Sequence, residues 1–195
     1  MNVSQPLTKR ALITVTIIVI TVTSGNLWLN RGGPPLGYQT FDMFGFTFAH
    51  PQDAYVNLEG LGMTPLTNDA GVLTVSRPVS GVEQVGVIWL STELVEGPEA
   101  ALDMIFQEAS GSNQVISRGE VLQSTKDGHP IYYVYFTVTD QGVDIPGIMG
   151  SWHCTEDGRI FSLYLVNLPN LDDLDVTPDE IKPKWQWYLN LIDCH

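Results

Sequence analysis

Two turn signals of one kind, Lys126-Asp127-Gly128 and Glu156-Asp157-Gly158, cut the second half of the chain into short β-branched and aromatic runs. Each glycine accepts the positive φ of a tight hairpin, so the runs on either side are set up to pair antiparallel. Ile131–Thr139 alternates strictly: Tyr132, Val134, Phe136 and Val138 take one face, and Tyr133, Tyr135 and Thr137 the other. Val115–Thr125 precedes this strand, and Ile145–Thr155 and Arg159–Asn167 flank the second turn. An all-helical fold is excluded by this half alone.

The stretch from Phe41 to Ser110 adds more strands. Phe44, Phe46 and Phe48 alternate into His50-Pro51 and predict one strand with a buried face. Ala54–Leu58, Gly71–Arg77 and Val82–Thr92 predict three further strands. Pro98 and Glu99 suit the first turn of a helix in which Ala101, Leu102, Ile105, Phe106 and Ala109 fall at helical spacing, with Gly111 as its stop. A second helix is predicted over Pro178–Asp193, with Ile181, Trp185, Tyr188, Leu189 and Ile192 on one side and Pro183 as a point of entry or bending. Thr177 and Glu180 have capping-box spacing. The predicted fold class is α+β, an antiparallel sheet covered by helices.

The N-terminus reads differently. Lys9 and Arg10 precede the apolar run Ala11–Thr23, and no charge follows until Arg31. A basic flank before such a run is the layout of an export signal. Taken through Leu29, the 19 uncharged residues approach the ~20 of a spanning helix, and Trp28 fits an interfacial aromatic. The chain therefore divides into a cytoplasmic flank (1–10), a transmembrane anchor or signal segment (11–29), a Gly/Pro linker (30–40) and an extracytoplasmic domain (41–195). Small residues at Thr23, Ser24 and Gly25 leave signal-peptidase cleavage, and hence secretion, open as the alternative to a single-pass anchor. No cysteine follows the run, so lipid attachment there is excluded.

From Phe41 onward the chain carries 22 acidic and 6 basic residues. That excess argues against nucleic acid and anionic head groups, both of which need a positive patch. Plain solubility is the favoured account over an acidic docking face, and a saline habitat would select the same surface.

The hairpin DGHPIYYVYFTV, the strand after it and EDGRIFSLYLV resemble the Mog1/PsbP-like fold group. The early aromatic strand running into proline, FGFTFAHPQDAY, and the closing helix KWQWYLNLI fit the same pattern. The resemblance spans most of Phe41–Ile192. It implies an α/β sandwich with binding or assembly duties rather than catalysis. It carries no functional residue over, because fold analogy alone does not locate a site.

Cys154 and Cys194 are the two cysteines, without a CxxC spacing, and in an exported domain they are expected to form one disulfide. The sharper alternative is a metal-dependent envelope enzyme using His153, Cys154, Cys194 and His195. Neighbours on a strand point to opposite faces, which weighs against that cluster. His50 and His129 adjoin prolines in strand-end and turn contexts. G-x-S-x-G and phosphate-binding glycine loops are absent from the sequence. Asp172, Asp173, Asp175 and Asp179 lack EF-hand spacing and read as a solvated loop. No cofactor and no catalysis are expected. The expectation is a membrane-tethered accessory domain that binds a protein or envelope component, with Tyr133, Tyr135, Trp89 and Trp187 as the candidate surface. Burial in the core is the competing reading for the same four residues.

Overall fold

The computed structural model describes residues 34–77, 83–110, 115–140, 143–167 and 178–194. The N-terminal flank and anchor, the start of the linker, Gly111, the acidic stretch 171–175, Thr177 and His195 lie outside the described residues. Among those residues, no helix is long and apolar enough to cross a membrane.

Eleven strands and two helices are described: β1 (Tyr38–Met43), β2 (Phe46–Pro51), β3 (Tyr55–Glu59), β4 (Ala70–Arg77), β5 (Glu83–Ser91), α1 (Pro98–Ser110), β6 (Val115–Arg118), β7 (Leu122–Lys126), β8 (His129–Asp140), β9 (Val143–His153), β10 (Arg159–Asn167), α2 (Pro178–Leu189) and β11 (Ile192–Cys194). The main sheet runs β3-β4-β5-β10-β9-β8-β6, with β7 also paired to β8, and a smaller sheet runs β1-β2-β11. All pairings are antiparallel. The expectation of an antiparallel α+β sandwich holds, with one correction: a second sheet shares the covering of the core with the helices.

The main sheet is buried on both faces. One face, with Val72, Ile88, Leu90, Val134, Met149 and Ile160, is packed under α1 through Ala101, Leu102, Ile105 and Phe106. The other, with Leu73, Val87, Trp89, Ile148, Phe161 and Leu163, is packed under Phe41, Phe46 and Phe48 of the small sheet and Ile181, Trp185 and Tyr188 of α2. Room for these rings comes from glycines directly opposite or beneath them. Gly86 pairs with Tyr164, whose ring lies where a Gly86 Cβ would be. Gly150 pairs with Tyr133 and has the Trp185 indole lying on it, while the indole Nε1 donates to the Leu163 carbonyl at 2.9 Å.

Four elements differ from the sequence reading: β1 begins at Tyr38, inside the expected linker 30–40, the expected strand Val115–Thr125 divides into β6 and β7, and two more depart as follows. The Phe44–Phe48 strand is instead a hairpin: Met43 pairs with Phe46, and Phe44 and Gly45 form a two-residue loop with φ of 55° and 71°. The last helix stops at Leu189 rather than Asp193. Asn190 N–H is shared between the Gln186 and Trp187 carbonyls at 3.2 Å, and Ile192–Cys194 then pairs with β2. Pro183 lies within α2 without ending it.

Cys154, at the end of β9, is disulfide-bonded to Cys194 of β11. The bond ties the small sheet to the main one across a 40-residue sequence separation. By loop-closure entropy the bond contributes on the order of 4 kcal/mol. Paired Cys154→Ser and Cys194→Ser replacement should therefore lower the free energy of unfolding by about that much in a denaturant titration. Gly150→Val should cost about 1–3 kcal/mol by overpacking Trp185, and a loss no larger than that of an exposed control such as Gln123→Val would contradict this packing account.

Candidate functional site

The four aromatic residues do not form one surface. Trp89 is fully buried and Tyr133 is 5 % exposed, so both belong to the core, which corrects their place in the candidate set. The cause is coverage: Tyr133 and Tyr135 lie on the β8 face that α2 packs against, with Trp185 5.7 Å from the Tyr133 ring. Lys182 Nζ donates to the Tyr133 hydroxyl at 2.7 Å, and Tyr135 is partly buried beside it. Trp187 alone is exposed, at 39 %. The disulfide consumes both thiols, so Cys154 and Cys194 offer no thiolate to a metal. His153 is half-buried on β9, and His50 is buried, its Nδ1 3.0 Å from the Pro51 carbonyl. Burial pushes the His50 imidazole below its ordinary pKa and keeps it neutral.

Two surfaces remain, at opposite ends of the main sheet. At the end where β4 gives way to β5, Trp187 packs edge-on against Tyr38, centroids 5.2 Å apart, and against Tyr188. Around them Arg77 Nη2 pairs with Asp53 at 2.9 Å and Lys184 Nζ with Glu83 at 2.5 Å. The Arg77 guanidinium holds the Asp53 carboxyl below its usual range. Desolvation, with Glu83 beside it, raises the Tyr188 phenol far above its usual range, so it stays protonated and serves only as a hydrogen-bonding group.

At the other end an open cleft of about 530 Å³ is lined by Phe44, Gly45, Asn68, Asp69, Ser91, Thr92, Glu93, Asp157, Gly158 and Arg159. Its walls are four chain turns fixed to one another. Arg159 Nη1 donates to the Asn68 carbonyl at 2.7 Å while Nε and Nη2 hold Asp157, which locks the β9–β10 loop to the loop before β4. Ser91 N–H donates to the Asp69 carbonyl at 2.6 Å, and Ser91 Oγ accepts from the Glu93 N–H at 3.1 Å. Arg159 is thus spent on structure. The Asp69 and Glu93 side chains are exposed and form no ion pair among the described residues.

Phe44 closes one side of the cleft in a left-handed conformation that a β-carbon disfavours. Two-residue hairpin loops of this kind favour Asn or Gly at that position. Phe44 is held by stacking on Trp89, centroids 5.1 Å apart. Sequence reasoning missed Phe44 as a turn residue, and with it the cleft, because the aromatic alternation through Phe44 continues the strand pattern. Only Gly45 hinted at a break. The arrangement is a preformed, negatively charged recess with one aromatic wall, suited to a cationic group by charge and ring face.

These features define an α+β sandwich of the PsbP-like kind. The cyanobacterial PsbP of Synechocystis sp. PCC 6803, CyanoP, superposes with a TM-score of 0.57 over 84 % of this chain and 96 % of its own, at 14 % identity. A Pseudomonas aeruginosa protein of unknown function aligns over 78 % of this chain and 93 % of its own, with a TM-score of 0.41 and 11 % identity. No family profile and no curated protein sequence matches the chain.

The left-handed backbone costs Phe44 about 1–2 kcal/mol, and its stacking on Trp89 returns about 0.5–1.5 kcal/mol. The half-buried ring also gives up about 1 kcal/mol of apolar burial, so Phe44→Asn should lower stability by no more than about 1–2 kcal/mol in a denaturant titration. A drop as large as that of a buried Phe truncation, about 3–5 kcal/mol, would make Phe44 a core residue and not a cleft wall.

Proposed function

We propose that this chain is a membrane-tethered, extracytoplasmic accessory domain that binds a protein partner in the cleft between Phe44, Asp69 and Glu93. The observation that carries the reading is Phe44 itself: an aromatic residue kept in a conformation that asparagine or glycine would adopt more readily, on the wall of the cleft. Strained residues cluster where a side chain is needed for something other than folding.

The rest of the reading has separate support. The run Ala11–Leu29 behind Lys9-Arg10 supports the tether, and the Cys154–Cys194 bond supports an oxidising compartment outside the cytoplasm. The Mog1/PsbP-like resemblance favours binding or assembly over catalysis. The acidic balance of the domain and the two unpaired carboxylates favour a basic segment of the partner, which electrostatic attraction would also steer. No observation favours the enzymatic alternative, which loses both its thiols to the disulfide.

A photo-crosslinking residue at Thr92, on the cleft wall, in the full chain in its native membranes tests this. It should yield a discrete adduct that disappears when Phe44→Asn is added, whereas the same group at exposed Gln123 on β7 should not yield it. Identical adducts from both positions, or an adduct indifferent to Phe44→Asn, would sink the reading.

A further inference from the structure

The end of the sheet opposite the cleft has a composition and a position that belong together. Two aromatic side chains are prominently exposed among the described residues, Tyr55 at 55 % and Trp187 at 39 %, and both are at this end. Tyr55 opens β3 opposite Ser76, next to Arg77, and Trp187 stands on Tyr38, whose ring lies within the electrostatic reach of Arg77, Glu83 and Asp53. Leu36, just before β1, is fully exposed.

This is also the end at which the chain enters the domain. Tyr38 is the first residue of β1, and β1 runs from here toward the Phe44 turn on Trp89 at the cleft end. Between Leu29, the last residue of the apolar segment, and Tyr38 lie Asn30 to Gly37. Fully extended, eight residues reach roughly 26–29 Å, and the chain from Pro35 to Tyr38 closes a turn in which the Tyr38 N–H donates to the Pro35 carbonyl at 2.9 Å and Gly37 takes a φ of 83°. The twelve residues of β8 span about 40 Å along the sheet. The six residues of β1 that separate Tyr38 from the Phe44 turn span only about 20 Å, so linker length leaves both ends within reach of the bilayer, and chain entry together with the exposed rings is what favours the Tyr38 end.

Tryptophan and tyrosine are the side chains that favour the water–hydrocarbon boundary, with the ring in the apolar layer and the polar tip in the head groups. An acidic domain would resist an anionic lipid surface, but here the charges next to the aromatic residues pair off, Arg77 with Asp53 and Lys184 with Glu83. We propose that the Tyr38, Tyr55 and Trp187 end of the domain rests on the surface of the membrane that holds the anchor, in contact with zwitterionic head groups. This rests on the tethered reading of residues 11–29 and adds an orientation to it: the aromatic end lies down and the cleft points away from the bilayer.

The test uses the full chain carrying Trp28→Phe, which removes the tryptophan in the anchor itself, reconstituted into phosphatidylcholine vesicles with and without lipid brominated near the head group. Bromine quenches an indole only at near contact. Trp89, Trp152 and Trp185 are at most 2 % exposed, so Trp187 is the indole in the domain that lipid can reach. Emission should fall in brominated vesicles by the share that Trp187 carries, and Trp187→Phe should abolish the fall. Vesicles that float with the protein but give equal emission with either lipid would overturn the docking while leaving the anchor intact, as would quenching that persists in Trp187→Phe. Failure of the protein to float with the vesicles would remove the anchor reading first and this proposal with it.

Discussion

A sheet buried on both faces needs two covers, and among the described residues the second cover of this fold is held without strand pairing to the main sheet. The α1 side is a helix on a sheet, packed through one apolar stripe. The opposite side is a composite of three short strands and α2, and rings fasten it to the sheet: Phe44 and Phe46 against Trp89, Phe46 against Phe161, and Trp185 against Tyr133. Each such contact contributes about 0.5–1.5 kcal/mol beyond area burial. The Cys154–Cys194 bond closes the same junction covalently at the cleft end. Trp185 settles at the middle of it only because Gly150 presents no side chain beneath the indole.

The same interaction sets the site. Phe44 is the outermost of these rings, and its left-handed backbone carries the chain from β1 to β2 in two residues. A tight turn at this point puts the β1–β2 loop level with Ser91 and Arg159, so four loops meet around one recess. Arg159 then locks two of them together, using Asp157 and the Asn68 carbonyl. The recess is preformed because its walls belong to the packing of the core, which limits the ordering cost that a ligand must meet on binding.

Legibility in the sequence followed how local each determinant is. Arg159–Asn167 was readable to the residue, because a turn glycine precedes it and its run of aliphatic and aromatic residues from Ile160 to Val166 is interrupted only by Ser162. The start of α1 at Pro98 was readable for the same kind of reason, a residue that fits a first turn and little else. Ile192–Cys194 was not: its helical spacing after Tyr188 and Leu189 is genuine, and only pairing with Phe46 and Phe48, some 150 positions away, makes it a strand. The expected strand Val115–Thr125 divides into β6 and β7 near Gly119, whose N–H donates to the Tyr135 carbonyl, a partner that local pattern does not reveal. The aromatic set failed as a surface for a related reason. Periodicity on β8 separates Tyr133 and Tyr135 from Tyr132 and Val134, but it does not tell which face a helix will cover.

The two ends of the sheet differ in what their exposed residues can do, and that difference follows from topology. Chain entry at Tyr38 places the segment that leads back to residues 11–29 beside one end of the sheet. That end exposes Tyr55, Trp187 and Leu36 beside the paired charges Arg77–Asp53 and Lys184–Glu83. The far end carries the turns of β1–β2, β9–β10 and the loop after β5, the positions from which a tethered domain can reach outward. Unpaired carboxylates there face solvent at little desolvation cost and keep their long-range field for a cationic partner. An aromatic, charge-balanced end near the tether and a charged, recessed end away from it is the distribution expected of a domain that lies on one surface and presents its cleft to another.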